Sequence, residues 1–208
     1  MPTQLTATQD TLAKAQADFD ASARVLEERL SDADFLTNRG LGNEVGFHVF
    51  CYDPSFELQA RKLFKRLESM AEQGKLPCRI IHRNLYDVFI EICKNKRILA
   101  AIPKQEEKRG SESQVRQLQR VATPELFAQA LDYEDHQPGD VVLISGVGEV
   151  YPFLRAHVLL DNIQHLFSDI PVVLAYPGKY DGQSFSLFSG VASRGLSDGN
   201  YYRAFNFV

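Results

Sequence analysis

The densest group of chemically capable residues lies between positions 140 and 183, where two apolar runs are each followed by an unusual loop. The run Val141–Ile144 leads into the glycine pair Gly146 and Gly148, and the run Val172–Ala175 stops at Pro177. Strand, loop, helix and strand in this order are typical of a buried parallel sheet. Open α/β sheets bind ligands beyond the carboxyl ends of their strands, so a functional site is first sought in these loops.

The glycine pair suggests a nucleotide site, but the residues around it do not fit one. A phosphate-binding loop has the form G-x-x-x-x-G-K-[ST], in which backbone N–H groups and one lysine hold the phosphates. That string does not occur, and Gly146-Val147-Gly148 lacks the third glycine of the dinucleotide fingerprint. We interpret the pair as a tight turn between strand and helix. A degenerate nucleotide- or nucleic-acid-binding module is the alternative.

Four polar side chains could converge beyond the strand ends: Glu149, Arg155, Tyr180 and Asp181. A hydrolase working through Glu149 and Asp181 is one hypothesis. The structural interpretation is that Asp181 begins a turn, that Glu149 favours the positive N-terminus of the following helix, and that Arg155 pairs with an acid. Ser145 lies in L-I-S-G-V-G, without the G-x-S-x-G elbow, and the five histidines are scattered. We therefore predict no catalytic residue.

His157, Asp161 and His165 have side chains that suit zinc or iron and follow one another at intervals of four residues. On a straight helix, three such positions span roughly 12 Å and drift around the axis, so they cannot all reach one ion. Asp53 at the end of an apolar run resembles a magnesium ligand, but capping of the next helix already accounts for it. We predict neither a metal nor a cofactor.

The elements that must position these residues indicate an α/β fold, in which one domain has a mostly parallel central sheet flanked by helices. Residues 1–36 are predicted as an N-terminal helical segment, and residues 37–208 as the α/β domain. Residues 98–112, polar and charged with both signs, are interpreted as an exposed loop. The other predicted elements are strands at Val45–Tyr52, Cys78–His82, Val141–Ile144, Val172–Ala175, Ser184–Phe188 and Tyr202–Phe207, helices that begin after Asp53, Asn84, Thr123 and Gly148, and a helix that contains Val115, Leu118 and Val121.

Composition favours a cytoplasmic protein. Hydrophobic residues make up 44% and charged residues 24%, and neither a secretion signal nor an apolar run long enough for a membrane span is evident. The net charge of −4 is unevenly distributed: residues 61–120 have fifteen basic and seven acidic side chains, whereas residues 121–208 have four and ten. Such a distribution suits docking to a protein partner, or weaker contact with phosphate backbones.

Three strings resemble the BrxB family of bacteriophage-exclusion (BREX) defence systems. They are G-V-G-E-V-Y-P-F-L-R from Gly146, Y-P-G-K-Y-D-G-Q from Tyr176, and N-Y-Y-R-A-F from Asn200, in the order in which the family has them. The resemblance covers roughly residues 40–208. It implies an ATPase-like sheet without the phosphate loop, and a phage-defence role beside a PglZ-type phosphatase-superfamily protein, an AAA+-type ATPase and a DNA methyltransferase. The family offers no established catalytic residues to transfer.

The resulting hypothesis is a non-catalytic adaptor that docks the PglZ-type protein, with direct DNA binding left open. The residues of the two family loops are then structural determinants or part of a docking surface. They are Glu149, Tyr151, Arg155, Lys179, Tyr180, Asp181 and Gln183.

Overall fold

Most of the chain alternates between helices and strands in the computed structural model, which describes residues 3–39, 46–188, 196–197 and 204–207. The helices are α1 (Thr3–Arg29), α2 (Ala33–Leu36), α3 (Glu57–Glu72), α4 (Leu85–Asn95), α5 (Ile102–Arg109), α6 (Ser111–Val121), α7 (Pro124–Leu131), α8 (Val147–Val150) and α9 (Ala156–Ile163). The strands are β1 (Phe47–Tyr52), β2 (Arg79–Asn84), β3 (Asp140–Ser145), β4 (Val172–Tyr180), β5 (Phe185–Leu187), β6 (Leu196–Ser197) and β7 (Phe205–Asn206). Of the described helices, none has the length and apolar character that a membrane crossing requires.

Five strands form one parallel sheet in the order β2-β3-β4-β1-β7. Every residue of β3 is buried, which explains its continuous apolar run, because a parallel sheet is covered on both faces. β4 runs on past the sheet and pairs antiparallel with β5, which in turn pairs with β6. The predicted α/β fold with a mostly parallel sheet is confirmed. Part of the strand predicted near the C-terminus, residues 202–203, lies outside the described residues.

The connections between strands cover both faces of the sheet. α3 joins β1 to β2 and lies in one apolar cluster with Phe50 and Val173. The helices that join β2 to β3 and β3 to β4 pack on the opposite face, in a cluster with Val49 and Val172. Successive side chains of a strand point to opposite faces of the sheet, so a central strand contributes residues to both clusters. At the carboxyl edge, β1 and β3 therefore lead to different faces, the arrangement that produces a crevice in open α/β sheets.

α1 packs on the α3 face of the sheet. The Phe19 ring stacks on Phe56, with 5.5 Å between centroids, and meets Phe50 edge-on at 5.9 Å. Leu26 and Leu30 are buried in the same cluster. The boundary predicted at residue 36 stays a prediction, but these contacts make α1 part of the core that covers β1.

The prediction of an exposed loop over residues 98–112 is wrong. A single 3-10 turn at Leu99–Ala101 leads into α5, and Gly110, with φ of 82°, separates α5 from α6. The helix forms because Pro103 lies in its first turn and residues 104–109 are Gln, Glu, Lys and Arg, which favour helices. The segment has no helical pattern of apolar residues, because α5 buries none of its residues fully and so lacks a strong apolar stripe.

A buried carboxylate fastens the amino ends of β2 and β3. Arg79 Nε and Nη2 each donate to one oxygen of Asp140 at 2.8 Å, and Asp140 also accepts from the Tyr133 hydroxyl at 2.8 Å and the Gln137 N–H at 3.1 Å. Asp140 is fully buried. Burial opposes its ionisation, but the hydrogen bonds, led by those from Arg79, outweigh burial and hold the pKa of Asp140 below its ordinary value.

Asp140→Asn is expected to lower the free energy of unfolding at neutral pH by about 2–3 kcal/mol, because hydrogen bonds to a charged acceptor are lost. A carboxylate whose pKa is lowered by folding stabilises the fold above its ordinary pKa of about 4, and this contribution disappears as the pH falls through the folded pKa. The wild type should therefore lose stability below about pH 5 more steeply than the variant. Urea unfolding followed by circular dichroism between about pH 7 and pH 3 measures how the free energy of unfolding changes with pH in the wild type and in the variant.

Asp135→Asn is the matched control, since the exposed Asp135 carboxylate binds the same arginine at 2.8 Å. This change should cost less than about 1 kcal/mol, as is usual for an exposed ion pair. If the free energy of unfolding falls equally steeply below about pH 5 in the wild type and in Asp140→Asn, the lowered pKa of Asp140 is contradicted.

Candidate functional site

Polar side chains stand at the carboxyl ends of three parallel strands. Tyr52 ends β1, Asn84 ends β2 and Ser145 ends β3. Asn84 and Ser145 are register partners, and Tyr52 is paired with Pro177 of β4. These residues therefore lie at the same edge of the sheet, where the crevice of an open α/β fold is expected.

Five side chains at this edge form a continuous hydrogen-bonded chain, here called the strand-end network: Tyr52, Glu57, Arg61, Asn84 and Glu149. The Tyr52 hydroxyl donates to Glu57 Oε2 at 2.7 Å, and Arg61 Nε donates to Glu57 Oε1 at 3.1 Å. Arg61 Nη2 donates to Glu149 Oε1 at 2.5 Å, and Asn84 Nδ2 donates to Glu149 Oε2 at 3.1 Å. The network therefore joins β1, α3, α8 and the β2–α4 junction.

Helix capping places the first half of the strand-end network. The Asp53 carboxylate accepts from the Ser55 N–H at 2.9 Å, and Pro54 fits the first turn, so the chain becomes helical directly after β1. This start puts Glu57 and Arg61 four residues apart on α3, a spacing at which side chains meet on one helix face. The capping role predicted for Asp53 is confirmed.

Asn84 and Gly146 place the second half. Asn84 Oδ1 accepts from the N–H groups of Tyr86 and Asp87 at 2.8 and 3.2 Å, which begins α4 and leaves its Nδ2 for Glu149. Gly146 has φ of 78°, and a Cβ there would lie 2.6 Å from Asn84 Oδ1. Glycine is therefore required at position 146 for its left-handed backbone and for the room that Asn84 occupies.

Gly148 is needed for close packing. A Cβ at Gly148 would lie 3.0 Å from both the Phe188 ring and Pro177, so the glycine lets α8 lie against the end of β4. The predicted tight turn between strand and helix is confirmed at Gly146, whereas Gly148 lies within α8.

The electrostatics of the strand-end network do not favour a phosphate. Its two carboxylates, Glu57 and Glu149, share one guanidinium, that of Arg61, so the set has an excess negative charge when ionised. Burial, reinforced by Glu57, raises the pKa of Tyr52 far above its ordinary range, which keeps the hydroxyl protonated as a donor. A phosphate placed here would meet an arginine that is already bound to two acids.

A second chain of polar contacts lies beneath α3. Ser145 Oγ is 2.8 Å from His82 Nε2, and His82 Nδ1 is 3.2 Å from Glu68 Oε1. Serine, histidine and glutamate in this order match the hydrogen-bonding pattern of a nucleophile, a base and an orienting acid. However, Ser145 is only 6% exposed and lies on the same face of β3 as Val141 and Leu143, which pack towards α3. In this position the chain fastens α3 to the sheet.

Neither set of contacts is predicted by the sequence analysis above. Ser145 has no partner there, and Tyr52, Glu57, Arg61, His82 and Glu68 are not among its candidate residues. The spacing of Glu57 and Arg61 on a helix is the one local indication of an ion pair. The contacts between β2, β3 and α3 required the strand order, which brings His82 beside a residue 63 positions away.

Lys179 and Tyr180 end β4 in the hairpin that β4 forms with β5, and Asp181 and Gln183 lie in the turn that joins the two strands. Tyr180 is buried, stacks on Phe185 at 4.5 Å between centroids, and accepts from the Ala204 N–H at 2.9 Å. Asp181 accepts from the N–H groups of Gln183 and Ser184 at 2.9 and 2.7 Å, which confirms the predicted turn and lowers the pKa of Asp181. Lys179, Asp181 and Gln183 are exposed.

Tyr151 and Arg155 flank the segment between α8 and α9. Tyr151 precedes a cis peptide bond to Pro152 and packs partly buried against the core, whereas Arg155 is exposed at the start of α9. Glu149 thus belongs to the strand-end network, while Tyr180 and Asp181 belong to the hairpin. The role of these residues in docking stays a prediction.

His157 and Asp161 lie on α9 and His165 in the turn after it, and the three side chains do not share one environment. His157 is buried, while Asp161 and His165 are exposed. Within the ranges that the structure describes, no group of three or more His, Cys, Asp or Glu side chains is placed to hold a metal ion.

The fold and these contacts define an α/β protein whose strand-end acids and bases are bound to one another. The family model described as "BREX protein BrxB" matches residues 81–207. A relative named BREX protein BrxB from Bacillus cereus (strain H3081.97) is 34% identical over 185 residues, which cover 86% of this chain and 92% of the relative. Another of the same name from Escherichia coli O9:H4 (strain HS) is 30% identical over 185 residues, which cover 88% of each chain. No solved structure matches the chain.

The chain therefore belongs to the BrxB family. The resemblance inferred from the three strings is confirmed.

A double-mutant cycle on Arg61→Ala and Glu149→Gln should give a coupling free energy of about 0.5–1 kcal/mol, because the pair is short but partly exposed. Urea unfolding of the wild type, both single variants and the double variant measures it. The control cycle uses Arg116 and Glu112, an exposed pair at 3.6 Å on α6, which should couple by less than about 0.3 kcal/mol. No difference between the two cycles would contradict a structural role for the strand-end network.

Proposed function

We propose that this protein is a non-catalytic adaptor of a BREX phage-defence complex, and that it docks a PglZ-type phosphatase-superfamily protein in the cytoplasm. Family membership supports a place in a BREX system. An AAA+-type ATPase and a DNA methyltransferase of the same system are further candidate partners.

One observation supports the adaptor role most strongly: the groups that could do chemistry at the strand ends are bound to each other. Glu149 holds Arg61 and Asn84, Ser145 contacts His82, and Asp181 closes its own turn. A catalytic acid or base must reach a substrate atom within hydrogen-bonding distance. Groups engaged in this way position helices and loops, and binding to a partner then relies on the outer surface.

The two family loops supply candidate docking residues of both signs. Arg155, Lys179, Asp181 and Gln183 present exposed side chains, and Glu149 and Tyr151 are partly exposed. Tyr180 supports the hairpin from inside through Phe185. Mixed charge with a rigid turn suits a polar protein interface better than a small-molecule pocket.

Co-expression with the PglZ-type protein of the same operon is expected to yield one complex that stays together in size-exclusion chromatography at micromolar concentration. An unrelated protein of similar size and charge serves as the control. Separate elution of the two proteins at this concentration would remove the docking proposal.

The alternative function, a nucleotide- or nucleic-acid-binding module, is favoured by one feature, the basic segment at residues 94–120. It has eight basic and three acidic side chains. Duplex binding that weakens steeply with salt, or a rise in melting temperature with nucleotide, would support this alternative. The adaptor proposal expects a flat response in both assays.

The adaptor proposal also expects phage restriction to survive loss of the candidate catalytic groups. Ser145→Ala should restrict phage as well as the wild type does, and the double variant Glu149→Gln with Asp181→Asn should lose no more restriction than its weaker binding to the PglZ-type protein accounts for, provided that circular dichroism shows a native fold. Plating efficiency in cells with the complete system measures this. Restriction that fails in a folded Ser145→Ala variant would instead identify Ser145 as a nucleophile.

A further inference from the structure

The outer side of β2 is an edge of the parallel sheet. β2 pairs with β3 on one side, and no other described strand pairs with it. Every residue of β2 is partly exposed, whereas every residue of β3 is buried. The strand contains neither proline nor glycine, the residues that commonly interrupt an edge. β2 is therefore a regular edge of six residues, long enough to pair with another strand.

The backbone of β2 determines which of its polar groups face this edge. The Arg79 N–H donates to the Gly139 carbonyl oxygen at 2.9 Å, so the peptide groups of Arg79 point towards β3. Alternate residues of a strand direct their N–H and C=O groups to opposite sides, so those of Ile80 and His82 point away from β3. Outside the sheet, neither residue has a backbone hydrogen bond within the described chain. These groups are available to the main chain of an added strand.

A groove of about 300 Å³ lies beside this edge, between the start of β2 and the last turns of α3. The Arg79 guanidinium in its wall is already bound to Asp140 and Asp135. Glu72 is exposed and makes no ion pair with a described residue. The charge that is left unpaired in the lining is therefore negative. The lining residues are Glu68, Ala71, Glu72, Cys78, Arg79 and Ile80.

We infer that the free edge of β2 binds an extended segment of a partner protein in which alternate residues are lysine or arginine. The inference rests on the proposed adaptor role and adds the docking surface and the chemistry of the partner segment. The main chain of the segment bonds to Ile80 and His82, as in other complexes formed by strand addition.

The side chains of the added segment alternate between the two faces of the sheet. Those on the α3 face lie beside Glu72 and Glu68, which favour basic residues. Those on the other face lie beside Ile81 and Arg83, where a basic residue is disfavoured and an apolar one packs. The positive charge therefore belongs on every second residue of the segment.

An extended peptide fits this edge better than a nucleic acid or a second copy of the chain. Two carboxylates in the groove repel a phosphate backbone. If two copies paired their β2 strands across a twofold axis, both α3 helices would lie on the same face of the joined sheet. Glu68 and Glu72 of the two copies would then approach one another, and like charges placed together destabilise the pairing.

The first test is hydrogen exchange at the β2 amides, followed by NMR. In the free protein, the amides of Ile80 and His82 should exchange about tenfold or more faster than those of Ile81 and Arg83, which bond to β3. Equal protection of all four amides in the free protein would show that the edge is already covered, and the inference would fail.

The second test uses the complex itself. Ile80→Pro removes one outward N–H and fills the place of an added strand with the proline ring, while the bonds to β3 are retained. Ile80→Val keeps the N–H and is its control. Glu72→Lys reverses the unpaired charge of the groove, and Glu107→Lys makes the same change at an exposed position of α5.

Ile80→Pro and Glu72→Lys are each expected to weaken co-purification with the PglZ-type protein by about tenfold, and the two controls to leave it unchanged. If the wild type forms the complex and both variants form it equally well, the edge inference fails while the adaptor proposal stands. If the wild type forms no complex, the adaptor proposal fails and the peptide test decides the edge inference.

The third test does not depend on the PglZ-type protein. The probe is a fluorescein-labelled ten-residue peptide of alternating lysine and valine, and the comparison peptide has glutamate in place of lysine. Fluorescence polarisation should show saturable binding of the lysine peptide alone, weakened about tenfold by Ile80→Pro and by Glu72→Lys. The bound peptide should also slow exchange at the Ile80 and His82 amides.

Four results of the peptide test would overturn the inference. They are the absence of saturable binding, equal binding of the two peptides, exchange at Ile80 and His82 that duplex DNA slows and the lysine peptide does not, and a concentration-dependent dimer that Ile80→Pro abolishes. Because Ile80 packs partly on the cluster beneath α3, circular dichroism must show that Ile80→Pro is folded. Glu72→Lys, which changes an exposed residue only, decides the question if it is not.

Discussion

The carboxylate of Glu149 is shared by two donors that reach it from different parts of the fold. Arg61 approaches from α3, and Asn84 from the end of β2. Since α3 covers one face of the sheet and α4 the other, this one group ties together elements that leave the sheet in opposite directions. The turn at Gly146 is the local requirement, because a larger residue would displace Asn84 from its place.

The strand-end network fixes positions more than it adds stability. A partly exposed ion pair contributes on the order of 1 kcal/mol or less, whereas each fully buried apolar side chain contributes about 1.5–3 kcal/mol. The two apolar clusters on the faces of the sheet therefore hold the fold. The polar contacts then determine where α3 and α8 lie relative to β1 and β2.

The elements that the sequence predicts correctly are those determined by residues close to each other along the chain. β3 and β4 are buried on both faces and therefore read as unbroken apolar runs, and Asp53 and Asn84 cap helices through contacts two or three residues away. α5 was missed because it buries no residue fully. Ser145, His82 and Glu68 meet only because β2 and β3 are neighbours and α3 crosses above them, and that strand order is not present in any short stretch of sequence.

The paired acids of the strand-end network and the unpaired lysines lie on different elements of this molecule. At the strand ends each acid has a donor of its own, Tyr52 for Glu57 and Asn84 for Glu149, and both acids bind Arg61. On α5 and at the end of α4, lysines are exposed without an ion pair to any described residue. Exposed charges of one sign attract partners of the opposite sign, whereas charges that are paired within the protein do so less. The unbalanced positive charge of this molecule therefore lies on its helices and not at the strand ends, where an active site is expected.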